Sequence, residues 1–304
     1  MAGEGLAQLI ECVANFSEGR DLAVIDALVE SLHGVALLDR TSDPDHHRSV
    51  LTFAGAPDAV AAAAFQAVRT AAARIDLTRH TGIHPRIGAA DVIPLVPIAG
   101  VTLDECAALA VGLGERIWSE LHVPVYLYEA AARRPGRRRL EVIRRGGFEL
   151  LRHEALTRED RAPDIGGPAL HPTAGATVVG ARPFLIAFNI NLDTGDVAVA
   201  RTIAARIRES SGGLPCVKAM GVFLASRGLA QVTMNLTDFT VTPVHRAYEA
   251  VRDEAEHLGV RVLESELIGL IPRAALAGSE PWLPTVRDFD ESRILENRLR
   301  SALP

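Results

Sequence analysis

The chain has 304 residues, 48% hydrophobic and 23% charged, with a formal charge of −6 at pH 7. That length can carry two ordinary domains, and the balance is that of a globular protein. No apolar run approaches the ~20 residues that span a bilayer, and no basic-then-apolar leader opens the chain, so a cytoplasmic protein without a membrane partner is expected. The acidic balance argues against general nucleic-acid binding. Cys12, Cys106 and Cys216 form no CxxC pair and read as reduced thiols.

In chain order, Glu11–Asn15 reads as a strand and Asp21–Leu32 as a helix. Val35–Asp39 and Arg48–Phe53 follow as strands, then the alanine-rich helix Pro57–Arg74 and the strand Asp91–Val96. This is the β-α-β-β-α-β order of a ferredoxin-like layer. An extension follows: Thr102 and Glu105 form a capping box that opens a helix, Val123–Leu127 is a strand, and Leu140–Leu151 is a helix. The basic run Arg133–Arg139 surrounds a Pro-Gly pair without aromatics and reads as a solvated turn. Arg161–Pro183, rich in Gly and Pro, reads as a linker.

The second half repeats the order. Phe184–Asn191 is a strand, and a helix runs from about Thr194 to Ser210 with Asp193 as N-cap and Gly212 as stop. Cys216–Leu224 and Ala230–Leu236 are strands around a turn at Ser226–Gly228. A helix opens at Thr242–Pro243 and stops at Gly259, Val260–Leu267 is the last strand, and a tail from Gly278 carries a helix near Arg293–Ala302. The expected fold is α/β of the α+β type, with two subdomains over residues 1–180 and 181–304, each a mixed sheet with helices on one face.

One insertion breaks the repeat: Leu77 to Ala90, between the second helix and the fourth strand of the first half. It holds His80 and His84, four residues apart as in a helical zinc pair. Gly82 and Pro85 disfavour a helix, so no metal site is expected. His84 suits general acid–base work: Pro85 restricts its backbone, and Gly82 and Gly88 leave room for a ligand. Asp39, ending an apolar strand, is a candidate for orienting it. His46 and His47, if extended, point to opposite faces, so at most one of them faces the site. Asn15-Phe16-Ser17-Glu18-Gly19-Arg20 leaves the first strand toward a helix N-terminus that can hold an anion. Lys218 is the one lysine among 32 basic residues: either nucleotide composition removed the others by chance, or this position needs a compact ammonium. There is no Walker motif, and Gly112-Leu113-Gly114 lacks the third glycine of a dinucleotide fingerprint.

These segments together resemble the glutamate formiminotransferase family. The resemblance runs from about Leu9 to Pro272 and is carried by Glu11–Arg20, Asp43–Val50, His84–Ala89, Gly175–Arg182, Phe188–Leu192 and Met234–Thr237. It implies transfer of a formimino group from N-formimino-L-glutamate to tetrahydrofolate, giving 5-formiminotetrahydrofolate and L-glutamate, in histidine degradation. It implies His84 as the catalytic histidine, tetrahydrofolate as co-substrate, Ile165–Gly175 as a folate-binding segment, two subdomains forming the site between them, and a homodimer. On that basis Asn15, Ser17, Arg48, Arg86, Gly88, Gly166, Pro168, His171, Gly175, Lys218 and Asn235 are candidate folate or substrate contacts, with the arginines and the lysine facing carboxylates. Ile83 stands where members often carry a glutamate, and the loop Gly166–Pro172 has few aromatics. The resemblance reaches no cyclodeaminase domain, so a separate protein is expected for the next step. Two alternatives stay open: formyl transfer or processing of 5-formyltetrahydrofolate on the same scaffold, and a non-catalytic folate-binding module.

Overall fold

The computed structural model describes residues 8–303, and the chain divides after Arg182 into two compact units. The first unit begins with β1 (Leu9–Phe16), α1 (Leu22–Glu30), β2 (Ala36–Asp43), β3 (Arg48–Gly55), α2 (Pro57–Arg74) and β4 (Ala90–Ala99). It continues with α3 (Leu103–Leu121), β5 (Val125–Glu129), α4 (Leu140–Ile143), α5 (Gly147–Thr157) and β6 (Thr177–Ala181). Its six-stranded sheet has the order β2-β3-β1-β4-β6-β5.

Local chemistry sets the helix starts. Asp21 caps α1 by accepting from Ala23 and Val24, Pro57 occupies the first turn of α2, and Thr102 with Glu105 closes the capping box of α3. Along α2, Val60, Ala63, Ala64, Ala67, Val68 and Ala71 are buried at helical spacing, and their small side chains let the helix lie close to the sheet. Ile10, Cys12, Ala14 and Phe16 alternate along β1 into that same core with Leu51, Phe53, Ile93 and Leu95. A smaller cluster of Tyr126, Tyr128, Val178, Ile143 and Leu151 packs α4 and α5 against the opposite face of β5 and β6.

Three sequence expectations change in the first unit. The supposed linker contains β6, which sits between β4 and β5 and pairs in parallel with both. The helix expected over Leu140–Leu151 is broken at Gly146 and Gly147, whose φ values of 83° and 65° stop α4 and restart the chain as α5. In the run Arg133–Arg139, Arg137 is buried rather than solvated: it donates to Asp164 at 2.8 Å and lies over the Tyr126 ring at 4.7 Å.

The second unit contains β7 (Ile186–Leu192), α6 (Val197–Ile207), β8 (Val217–Leu224), β9 (Leu229–Leu236), α7 (Val244–His257), β10 (Val262–Ile268) and α8 (Leu295–Ala302). Its sheet order, β10-β7-β9-β8, is that of β4-β1-β3-β2 in the first unit, and all its pairs are antiparallel. Ile186, Phe188, Ile190 and Leu192 face α6 and α7, while Asn189 and Asn191 alternate to the helix-free face. The cap of α6 is Asp196 rather than Asp193, which pairs with Arg261 instead.

Candidate active site

The insertion of the first unit leaves α2 through a turn capped by Asp76 and runs without regular structure from His80 to β4. Two straps hold it. Ser17 donates from its hydroxyl to the Gly88 carbonyl at 2.7 Å and from its backbone to Ala89 at 2.9 Å. On the other side Gly88 bridges Gly175, with Ala89 N donating to Ala174 and Ala176 N to Ile87. Asp91, buried at the start of β4, accepts from Ile87 N at 2.8 Å and Gly88 N at 3.3 Å.

The glycines here serve the chain. A Cβ on Gly88 would stand 2.1 Å from the Ala176 carbonyl oxygen, one on Gly175 2.1 Å from that of Ile87, and one on Gly82 2.7 Å from that of His46. The room expected for a ligand at Gly82 and Gly88 is thus filled, on the Cβ side, by backbone. Gly166, at φ +99°, is packed against the Trp118 ring, which puts an aromatic beside the loop that looked poor in them. Pro168 is exposed, and His171 Nδ1 accepts from Ala174 N at 3.0 Å in the tight turn that ends at Gly175.

His84 is partly buried in the middle of this loop. Its Nε2 faces Arg48 Nη1 in a short contact, and since a guanidinium only donates, Nε2 is the acceptor and carries no proton. The His46 ring lies 6.0 Å away at 44°. Burial, then the Arg48 and Arg144 charges and His46, hold the imidazole well below its usual range, with only a hydrogen bond to the Pro85 carbonyl opposing them. Arg48, on β3, is itself pushed down to about 10 by burial and by Arg144, with Asp91 and Asp43 opposing.

Beside it lies a second histidine pair. His47 and His80 stack at 4.1 Å and 9°. His80 donates from Nε2 to the His47 carbonyl at 3.0 Å and accepts from Arg86 Nε at 2.8 Å, so both its nitrogens are taken. Arg86 continues to Glu149 at 2.7 Å. His47 Nε2 meets Glu18 at 3.1 Å. Burial acts to raise the Glu18 carboxyl, but the backbone N–H groups of Asp21 and Arg20, together with His47, hold it below the usual carboxylate range. Both histidines of the β2–β3 turn therefore reach the insertion, His46 toward His84 and His47 onto His80. The turn is not extended: His47 has φ 50°.

The structure brings Ser17, Arg48, Arg86, Gly88 and Gly175 to the His84 loop. Asn15 lies on β1 and donates to the Val13 carbonyl at 3.0 Å. Asp39 accepts from Thr41 Oγ1 at 2.9 Å and is not among the groups touching His84; its register partner is Thr52, four residues up β3 from Arg48. In the second unit, Lys218 on β8 and Asn235 on β9 are register partners on the helix-free face. Asn191, Gln231, Glu264 and Glu266 form a hydrogen-bonded cluster on that same face, with Arg227 and Arg287.

Sequence reading missed Asp91, Arg144 and Glu11. A buried acid opening an apolar strand was a usable signal for Asp91. Nothing marks Arg144 among so many arginines. Its Nη2 pairs with Asp91, and its Nε is buried without a partner among the described residues. Glu11 lies on β1 at 1% exposure with neither carboxyl oxygen hydrogen-bonded among the described residues, and burial, opposed by Arg182, pushes it up to about 7.

Residues 9–182 match the N-terminal subdomain of the formiminotransferase domain, and residues 187–290 match the formiminotransferase domain. The chain is 47% identical to a glutamate formimidoyltransferase of Streptococcus pyogenes serotype M1, over 97% of this chain and 99% of that protein. It is 44% identical to one from Thermoplasma acidophilum, over 97% and 98%. A formimidoyltransferase-cyclodeaminase of Rattus norvegicus is 45% identical, over 97% of this chain but 57% of that longer protein. Fold and matches define an enzyme of the transferase class. The chain belongs to the formiminotransferase family.

Proposed function

We propose that this enzyme moves a formimino group from N-formimino-L-glutamate to tetrahydrofolate, releasing 5-formiminotetrahydrofolate and L-glutamate, as a step of histidine degradation. One observation carries the reading: a neutral imidazole, His84, stands beside two guanidiniums on a loop strapped by Gly88 and Gly175 to the end of the Ile165–Gly175 segment. Folate N5 must lose a proton as it attacks the formimino carbon, and the glutamate nitrogen must gain one as it leaves. A neutral imidazole does both in turn, contributing ~10²–10⁴-fold. This chemistry needs no metal or redox cofactor, and exhaustive chelation is expected to leave turnover intact. Ile165–Gly175 binds the folate, and the enzyme works as a cytoplasmic homodimer on small-molecule substrates.

The test is turnover by purified protein with N-formimino-L-glutamate and N-formyl-L-glutamate side by side, tetrahydrofolate as acceptor. Formimino transfer well above formyl transfer supports the assignment. A formyl preference, or folate binding without turnover, overturns it.

A further inference from the structure

Two guanidiniums reach His84, Arg48 from β3 and Arg144 from the end of α4; Asp91 pairs with Arg144 and, with Asp43, opposes the charge of Arg48. Asp91 is fully used: Oδ1 accepts from Ile87 N and Gly88 N, and Oδ2 takes Arg144. Asp43, at the end of β2, accepts from the His46 backbone at 2.8 Å. Among the described residues, Arg48 makes its one side-chain hydrogen bond to a neutral imidazole, and Arg144 keeps a buried Nε–H that nothing accepts. A desolvated charged donor without an acceptor is destabilising, and a guanidinium normally meets an anion. One guanidinium turned onto a neutral ring, and a second with a buried N–H that lacks an acceptor, mark a place beside the imidazole where an anion fits.

We propose that Arg48 and Arg144 clamp the α-carboxylate of the amino-acid donor, and that seating this carboxylate draws Arg48 off His84 Nε2, turning the imidazole from a capped ring into a working one. The inference rests on the proposed transfer reaction and adds to it a donor site and an order of events.

The donor's own chemistry fits. In an N-formimino amino acid, the α-carboxylate and the formimino-bearing nitrogen sit on the same carbon. A carboxylate held by Arg48 and Arg144 therefore puts the leaving nitrogen next to the atom Arg48 vacates. The N5–C bond then forms, the proton of N5 passes to His84 Nε2, the bond from the formimino carbon to the glutamate nitrogen breaks, and that nitrogen takes the proton from Nε2. The imidazole ends as it began. Before the donor binds, the guanidinium occupies the lone pair needed for the first proton transfer. After it binds, the carboxylate cancels part of the positive field that now weakens His84 as a base. His46, the ring at 6.0 Å, and the Pro85 carbonyl are the other groups facing the imidazole, and neither brings a negative charge.

The experiment follows the His84 ring by NMR in the full chain through a pH titration, with and without L-glutamate as probe, alongside donor and folate KM values. In wild type, saturating L-glutamate should raise the His84 titration by roughly one pH unit, the size of one nearby opposite charge. Arg48→Met should raise it in the free protein and abolish the glutamate-dependent shift. Arg144→Lys keeps a cation for Asp91 but loses the fork; glutamate affinity and donor KM should worsen roughly tenfold while folate KM holds. A glutamate-insensitive His84, unchanged glutamate affinity in Arg144→Lys, or a change in folate KM instead of donor KM overturns the clamp. Wild type that transfers formimino groups with any of these outcomes keeps the proposed function and loses this inference. Wild type that binds glutamate with the full shift but transfers nothing keeps the clamp and loses the function.

Discussion

Both units run β-α-β-β-α-β in the same spatial strand order, yet only the first carries the long loop that holds His84. In the second unit, α7 ends at His257 and β10 starts at Val262, a connection of four residues closed by Gly259 at φ 73°. The equivalent connection in the first unit runs from Arg74 to Ala90 and holds His80, His84, Arg86 and Gly88. The layer supplies a frame that a short turn closes well enough. Where the chain spends extra residues, it must secure them one by one with Ser17, Asp91, Gly88 and Gly175. The second unit invests instead in a polar, helix-free sheet face, where Lys218, Asn235, Asn191 and Gln231 stand on rigid strands. Reaction in the loop and recognition on the strands is the division this comparison suggests.

The largest effect should come from the loop. His84→Ala is expected to lower turnover by ~10²-fold or more with little change in folate affinity, because the lost interaction belongs to the transition state. His80→Ala should be far milder, since both its ring nitrogens are already bonded within the protein. Single-turnover rates and folate titration of both variants decide it; near wild-type turnover of His84→Ala would dissolve the division at once.

Glu11 gives the next effect, on stability. Its carboxyl is pushed up to about 7 from an ordinary value of 4.5, burial being the main cause. A raised folded value means that its favourable contribution is complete below about 4.5 and is lost as pH rises through about 7. Holding the ionised form in its buried site costs about 3 kcal/mol above neutrality, from the size of the shift. Glu11→Gln should therefore stabilise the protein by about that much at alkaline pH and by little in acid. Denaturant unfolding at two pH values measures it, and equal stabilisation at both would refute the ionisation argument.

How much of this was legible beforehand follows the range of the interactions involved. Asp21, Pro57 and the Thr102–Glu105 box are local signals, and the helices start where they say. β6 was hidden because Thr177–Ala181 is short, contains a glycine and follows a Gly/Pro-rich loop; its strand identity comes from parallel partners far away in sequence. His84 stood out because its segment interrupts a repeat. Arg144 did not, because its place depends on the chain turning at Gly146–Gly147. Asp39 looked well placed as a strand end, but β2 continues to Asp43, leaving Asp39 in mid-strand against Thr52.

A third change tests the straps. Gly88→Ala puts a Cβ 2.1 Å from the Ala176 carbonyl, a backbone atom that cannot rotate away. It should cost ~1–3 kcal/mol, the usual price of overpacking, and loosen the loop. Gly212→Ala in the second unit, at φ 87° with open space around it, should cost roughly 1 kcal/mol for the left-handed backbone alone. Thermal unfolding of the pair checks the order, and a larger loss from Gly212→Ala would show that the loop is not held as described.

The smallest expected effect sharpens the other side of the comparison. Lys218 stands on the edge strand β8, opposite Asn235, with its neighbours Val217 and Ala219 paired to Leu236 and Met234 on the other face. The lysine ammonium is a compact charge, and both proposed substrates carry carboxylates. If the second unit recognises substrate without sharing in the proton transfers, Lys218→Met should raise the KM of one anionic substrate about tenfold, the worth of one charged hydrogen bond, and leave kcat within about twofold. Lys218→Arg should fall between, since it keeps the charge but not the shape. The substrate whose KM moves identifies which ligand reaches this face. A drop in kcat like that of His84→Ala, at unchanged KM, would place Lys218 in the chemical step and end the separation of reacting loop from recognising sheet.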